Sequence, residues 1–291
     1  MPAAIKLAIS LLKLRIGIAI AASALAGIAV ASGPALAWWQ SVGLALAVLG
    51  ASGAAGAFNH YHERDVDRLM RRTANRPFAS GAFAPSAWWP AGFLALLIAS
   101  LALATASGGA VAALFVFLGA FTYGIVYTVW LKRRSTWNIV IGGLAGSFAV
   151  LAGAAAVDPA PQTVPVTLAL VLFLWTPPHF WSLAAAKGDD YRRAGIPMLP
   201  IVVPDYAWTL ATLTHTAALF AISLVPLWHG KGLFYGLGAG IGGAFFLWKS
   251  VALHRSPSKT NAMANFFASL VQLALLVAGA VADALFGPWW P

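Results

Sequence analysis

Runs of about 20 mostly apolar residues recur along the chain, each long enough to cross the roughly 30 Å hydrocarbon core of a bilayer as a helix. The pattern predicts nine such spans, at 14–31, 38–58, 88–106, 111–131, 139–157, 164–186, 206–228, 233–253 and 264–285. Their Ala and Gly content lets neighbouring backbones approach closely where lipid offers no hydrophobic drive for association. The expected fold class is an all-α polytopic membrane protein, a bundle of nine transmembrane helices forming a single domain over 1–291.

Composition agrees, since 60% of the 291 residues are hydrophobic and 9% are charged, against about 25% charged in a soluble domain. Cysteine is absent, which excludes disulfides, thiolate metal sites and thiol nucleophiles. The net charge of +10 is read as orientation rather than nucleic-acid binding. With the N-terminus inside, all of the 18 basic residues except Lys231 fall in cytoplasmic segments, which is the asymmetry that sets topology. Lys6, Lys13 and Arg15 lead the first span, and nine crossings put the C-terminus outside. Trp38, Trp39, Trp88, Trp89, Trp228, Trp289 and Trp290 are expected as anchors near span ends on the outer face. No removable leader is evident, which favours a bacterial cytoplasmic membrane over an organelle.

Of the eight acidic residues, Glu63, Asp65, Asp67, Asp189 and Asp190 sit in two cytoplasmic loops, at about 59–87 and 187–205. If the second helix persists beyond Phe58, then Asn59, Glu63 and Asp67 recur every four residues on one face, while Asp65 points away. Oxygen ligands in such a row suit Mg²⁺, which is usually held by one or two carboxylates together with substrate phosphates. Arg68, Arg71, Arg72 and Arg76 lie alongside, and guanidinium groups can clamp a phosphate. The plainer alternative is a solvated cap of ion pairs, with the arginines setting orientation alone. His60 and His62 are two residues apart and so leave a common helical face, and no histidine metal site is expected from them.

Here the residues resemble the UbiA superfamily of intramembrane prenyltransferases, whose signature is two aspartate-rich cytoplasmic motifs. The first motif, Asn59-x3-Glu63-x3-Asp67, has Glu in place of the family's central Asp, which keeps the carboxylate and adds a methylene. Four stretches are similar to the haem-farnesylating branch: 59–77, ending Arg71-Arg72-Thr73-Ala74-Asn75-Arg76-Pro77; 127–143, with Lys132-Arg133-Arg134; Trp175-Thr176-Pro177-Pro178-His179-Phe180-Trp181; and Asp189-Asp190-Tyr191 leading to Ala194-Gly195-Ile196-Pro197-Met198-Leu199-Pro200. The resemblance implies helices around a central cavity with its polar mouth in the cytoplasm. It further implies Mg²⁺-dependent farnesyl transfer from farnesyl diphosphate to a vinyl group of haem b, with water added. The product would pass to a haem A synthase or a haem-copper oxidase.

Under this reading Asn59, Glu63, Asp67 and Asp190 hold Mg²⁺, with Asp189 a weaker fifth. Arg72, Arg76, Lys132, Arg133, Lys187 and Tyr191 are the diphosphate candidates, the basic ones having topogenic charge as their equal alternative. Tyr123, Tyr127, Trp175, Phe180 and Trp181 are candidates for a dry aromatic pocket around a farnesyl cation. His179 follows two prolines expected to break its span. Iron ligation, a propionate contact and proton acceptance are all open to it, with a buried histidine satisfied by a neighbouring helix slightly favoured over any one of them. Competing readings are prenyl transfer to a quinone precursor or a chlorin, and an anion transporter.

Overall fold

The computed structural model describes Leu7 and residues 9–287; Lys6, Trp289 and Trp290 lie outside the described residues. All its regular elements are helical. The first half contains α1 (Leu14–Val30), α2 (Trp38–His62), α3 (Arg64–Asp67) and α4 (Trp88–Phe121), which runs directly into a π-helical segment (Thr122–Leu131). It continues through α5 (Asn138–Gly142) and α6 (Leu144–Val157). The second half contains α7 (Thr163–Ala186), α8 (Gly188–Arg193), α9 (Leu199–Val202), α10 (Asp205–Ser223), α11 (Leu233–Arg255) and α12 (Lys259–Phe286).

Among the described residues, 7 helical stretches are long and apolar enough to cross a membrane, and α1 falls just short of that length. One of them, Trp88–Leu131, has 44 residues, about twice what one crossing needs. Its backbone breaks at Gly109, with φ 84° and ψ 175°, a conformation that a side chain would make costly. On one side of the break, Ser107 and Ser100 oppose Gly43 and Gly50 of α2; on the other, Gly124 lies near Ala55 and Phe58. The chain therefore runs along α2 and returns beside it. The sequence pattern places a short gap at this point, and the structure fills it with one non-helical glycine.

Two apolar cores divide the bundle. Small residues of α1, α2, α4 and α6 make the first, including Ala24, Ala51, Ala104 and Ala152. Larger residues of α7, α10, α11 and α12 make the second, including Leu168, Leu219, Phe246 and Leu276. A smaller cluster of Val66, Met70, Ile139, Tyr191, Ile196 and Met198 ties together the loops that carry the acidic motifs.

Close approach is most demanding where α1 meets α6. A Cβ on Gly27 would collide with the Val150 carbonyl, and one on Gly153 with the Ala24 carbonyl. Gly27→Leu must therefore push two backbones apart, and overpacking of this kind costs about 1–3 kcal/mol or more. A lower unfolding midpoint in detergent is the expected outcome; an unchanged midpoint would show that the pair can separate freely.

Two sequence expectations need correction. Pro177 and Pro178 do not break their span, because α7 continues through both. Side-chain bonds brace the turns on either side, from Thr176 Oγ1 to the Leu172 carbonyl (3.0 Å) and from Ser182 Oγ to the Pro178 carbonyl (2.7 Å). Trp89 belongs to the Asn59 end of the bundle, where it packs on Phe78 and Phe83 with ring centroids 5.3 and 4.9 Å away, beside Ala57 and Phe93. Trp88 precedes it at the start of α4, which begins at the end where α2 finishes.

Candidate active site

Helix α2 ends at His62, and Glu63 leaves helical geometry at φ −95° and ψ 11°. The i→i+4 bonding nevertheless crosses this joint. Glu63 N–H donates to the Asn59 carbonyl (3.0 Å) and Asp67 N–H to the Glu63 carbonyl (2.8 Å). Asn59, Glu63 and Asp67 are all buried, whereas the side chain of Asp65 is 64% exposed.

Each buried acid meets a cation from another part of the fold. Lys132, just past the π-helical segment, donates to Glu63 Oε2, which also receives Asn59 Nδ2 at 2.8 Å. Burial alone would push the Glu63 carboxyl up, but the charge and hydrogen bond of Lys132 outweigh it and hold the group below its ordinary range. Arg76 Nη1 donates to both Asp67 oxygens at 2.9 and 2.8 Å. Glu63 Oε1 is buried with no hydrogen-bond partner, a free lone pair beside the Asn59 amide.

The wider turn of the π-helical segment shapes the neighbouring wall, a deviation frequent at functional sites. Tyr123 and Tyr127 stack there with centroids 5.6 Å apart. Thr128 Oγ1 donates to the Tyr123 carbonyl (2.8 Å) and receives Asn59 Nδ2 at 3.1 Å. Lys13, in the left-handed region at φ 49°, sends its ammonium to Asn59 Oδ1 (2.6 Å) and Tyr123 Oη (2.8 Å).

The second acidic motif, on α8, docks against the loop after the first. Arg71 N–H donates to Asp190 Oδ1 (3.2 Å), and Arg72 Nη2 to Tyr191 Oη (3.1 Å). Arg193 pairs with Asp190 and also reaches the Leu69 carbonyl at 3.2 Å. Loops 119 residues apart thus close one end of the bundle.

Beneath them lies a cavity of about 820 Å³, within the ~300–1,000 Å³ typical of small-molecule sites. Its lining includes the sequence candidates Asn59, Arg72, Arg76, Tyr123, Tyr127, Lys132, Phe180 and Tyr191. An apolar slot of about 70 Å³, walled by Ile20, Val48, Val116 and Ala120, shares Lys13, Ile16 and Tyr123 with it. A second polar cavity, of about 530 Å³, is lined by Arg71, Arg72, Lys187, Asp189, Asp190 and Arg193.

Other candidates lie elsewhere. Arg133 turns outward to pair with exposed Asp65 at 2.8 Å. Asp189 is exposed and shared between Arg192 and Lys259 at 3.2 and 3.3 Å. Trp181 packs with Trp208, Leu253 and Ala262, and Trp175 Nε1 donates to the Ser269 carbonyl at 2.8 Å. His179 is a buried, satisfied histidine, with its Nδ1 2.7 Å from Ser269 Oγ and its ring stacked between Trp175 and Phe266. Among the described residues no three His, Asp or Glu side chains form a ready-made metal cluster; the carboxylates are divided between the two motifs.

Sequence reasoning missed Lys13, His60, Asn75 and Thr176, all of which line the large cavity. Asn75 falls within the Arg71–Pro77 stretch, directly before Arg76. Nothing at the level of sequence distinguishes Lys13 from a topogenic charge.

The two acidic motifs, joined above one cavity, are matched by family-level similarity. The model of the UbiA prenyltransferase family matches residues 20–271. The chain belongs to this family. It is 56% identical to the "Protoheme IX farnesyltransferase 2" of Paramagnetospirillum magneticum, over 98% of this chain and 99% of that relative. Among solved structures, one described as a digeranylgeranylglyceryl phosphate synthase superposes with a TM-score of 0.79 at 17% identity, covering 97% of this chain and 98% of that one. A UbiA homologue from Archaeoglobus fulgidus bound to GPP and Mg²⁺ superposes with a TM-score of 0.66 at 16% identity, covering 95% and 99%. The chain is thus a multi-pass, all-helical member of the UbiA family of prenyltransferases.

In this UbiA member, Asp65 provides a contrast with its buried neighbours. Hydrogen bonding from Arg133 lowers its carboxyl to about 2, so the pair stabilises the fold above the ordinary value of 3.8 and loses that contribution as pH falls toward 2. Exposed pairs contribute about 0–1 kcal/mol. Asp65→Asn is expected to leave product formation within about twofold of wild type, measured as initial rate; a large loss would bring Asp65 into the site.

Proposed function

We propose that the chain transfers a farnesyl group from farnesyl diphosphate to a vinyl group of haem b, with addition of water, giving haem O and diphosphate. The observation that carries this reading is the 820 Å³ cavity, where Lys13, Arg72, Arg76 and Lys132 meet the aromatic faces of Tyr123, Tyr127 and Phe180. The near-complete alignment with a protohaem farnesyltransferase supports haem as acceptor over a quinone precursor or chlorin.

Ionising an allylic diphosphate develops negative charge on the leaving group, and fixed cations lower that barrier. Arg72, Arg76 and Lys132 come from two separate segments and can hold the diphosphate from more than one side. Lys187, lining the adjoining cavity, extends the same positive surface. The aromatic wall stabilises an allylic cation through ring faces without attacking it, and the apolar slot beside Tyr123 takes part of the tail away from water. The vinyl terminal carbon then bonds to farnesyl C1 as the C1–O bond breaks. Water adds to the benzylic-type cation left on the other vinyl carbon and loses a proton.

The unpartnered Glu63 Oε1, the Asn59 amide and the buried Asp67 carboxylate fit a hard cation, which favours oxygen ligands. Asn59, Glu63 and Asp67 would hold Mg²⁺ on one side and Asp190 on the other, with exposed Asp189 a lesser contributor. Bound there, Mg²⁺ would neutralise charge on the departing diphosphate. The Archaeoglobus homologue, which shares this fold, is bound to GPP and Mg²⁺, which supports a prenyl diphosphate and a divalent cation as the occupants of the cavity.

The reading includes nine crossings, counting α1 and the two limbs meeting at Gly109, within a single domain whose N-terminus faces the cytoplasm. It places the chain in a bacterial cytoplasmic membrane, with its product passing to a haem A synthase or haem-copper oxidase. The test is incubation of the purified protein with haem b, farnesyl diphosphate and Mg²⁺, followed by mass analysis of extracted porphyrins. Hydroxyethylfarnesyl haem that vanishes with EDTA supports both substrate and metal; unchanged haem b alongside a prenylated aromatic acid overturns the choice of acceptor.

A further inference from the structure

His60 has no task in this scheme. The residue follows Asn59 near the end of α2 and precedes Glu63 by three residues, about one helical turn. It is 2% exposed, yet it lines the large cavity, and neither ring nitrogen has a hydrogen-bond partner. Histidines elsewhere in the membrane region are engaged: His179 Nδ1 with Ser269, His215 Nδ1 with the Ala211 carbonyl, and His254 Nδ1 with Thr209.

A buried imidazole normally has its nitrogens paired, so a ring left free at a cavity wall suits a ligand that takes a nitrogen lone pair. The cations that line the cavity could donate to such a lone pair, but each is directed elsewhere: Lys13 at Asn59 and Tyr123, Arg72 at Tyr191, Arg76 at Asp67 and Lys132 at Glu63. Tyr123 and Tyr191 already accept hydrogen bonds from Lys13 and Arg72. Haem iron is an established acceptor for neutral imidazole.

We propose that His60 binds the iron of the haem substrate as an axial ligand. This inference rests on the haem reading of the cavity. Coordination fixes the porphyrin centre one turn from Glu63, while propionates and diphosphate remain free to engage the cavity's cations. His60 is thereby a positioning residue, holding the vinyl group at a set depth relative to the farnesyl C1. Iron ligation, one of the roles open to His179, passes to a histidine whose nitrogens have no hydrogen-bond partner in the fold.

The experiment titrates haem b alone into the purified full-length protein and into His60→Ala, His60→Gln and His179→Ala, following the Soret band and the ferrous iron–imidazole stretch by resonance Raman. Wild type and His179→Ala should show imidazole ligation. Both His60 variants should lose it and bind haem more weakly, by at least the ~10–100-fold that disturbing a metal ligand's outer partners costs. Free imidazole should restore the spectrum of His60→Ala. Persistence of the iron–imidazole stretch in the monodisperse His60 variants, or its absence from wild type, overturns the inference. The same preparations are assayed for farnesyl transfer. Wild type that farnesylates haem without a His60-dependent signature rejects the ligand alone, whereas wild type that does not farnesylate haem rejects the underlying function.

Discussion

Asp67→Asn is expected to lower the turnover number for farnesyl transfer about 10²–10³-fold, the loss seen when one preorganised group that stabilises developing charge is removed. Asp67 is fully buried and holds Arg76 through both carboxylate oxygens. The amide keeps the shape and removes the negative charge. Arg76 then loses the anchor that fixes its guanidinium in the cavity wall, and the proposed cation loses a ligand. Both effects act where the diphosphate leaves, so the chemical step should suffer more than haem binding does. Single-turnover rates across a Mg²⁺ titration separate them: loss of a metal ligand raises the Mg²⁺ needed for half-maximal rate, whereas misplacement of Arg76 alone does not. A turnover number within about threefold of wild type would remove Asp67 from the site.

The contrast between Asp67 and Asp65 was readable in the sequence, because spacing by four survives a helix joint as long as the backbone bonding does. That the chain is built of apolar helices long enough to cross a membrane was equally legible, since bilayer thickness imposes a minimum length on every such segment. Tertiary placement was not. Arg133 and Lys132 are adjacent and chemically alike, yet one faces exposed Asp65 and the other buried Glu63. Their directions depend on how the π-helical segment turns, and the composition of Thr122–Leu131 does not announce a wider helix. His179 looked exceptional because a polar residue after two prolines is costly in lipid, but the compensating Ser269 lies 90 residues away. His60 looked ordinary for the opposite reason: its isolation shows only when every neighbouring partner is known.

Lys132→Met is expected to destabilise the fold by about 3–5 kcal/mol, because removing one member of a buried ion pair leaves the other charge uncompensated. The Glu63 carboxylate is buried and Lys132 is its cationic partner; with methionine there, only the Asn59 amide donates to it. Since Lys132 holds the Glu63 carboxyl below its ordinary value of 4.5, the wild-type pair stabilises the fold above that pH and weakens as pH falls through the lower folded value. The deficit of Lys132→Met should therefore be large at neutral pH and shrink in acid. Adding Glu63→Gln to Lys132→Met should recover most of the unfolding midpoint, since no buried charge is then left alone. The double variant should remain inactive in farnesyl transfer, because the diphosphate cation and the metal carboxylate are both gone. Recovery of stability together with activity would assign the pair to the scaffold; recovery of stability alone separates the packing role of these residues from their chemistry.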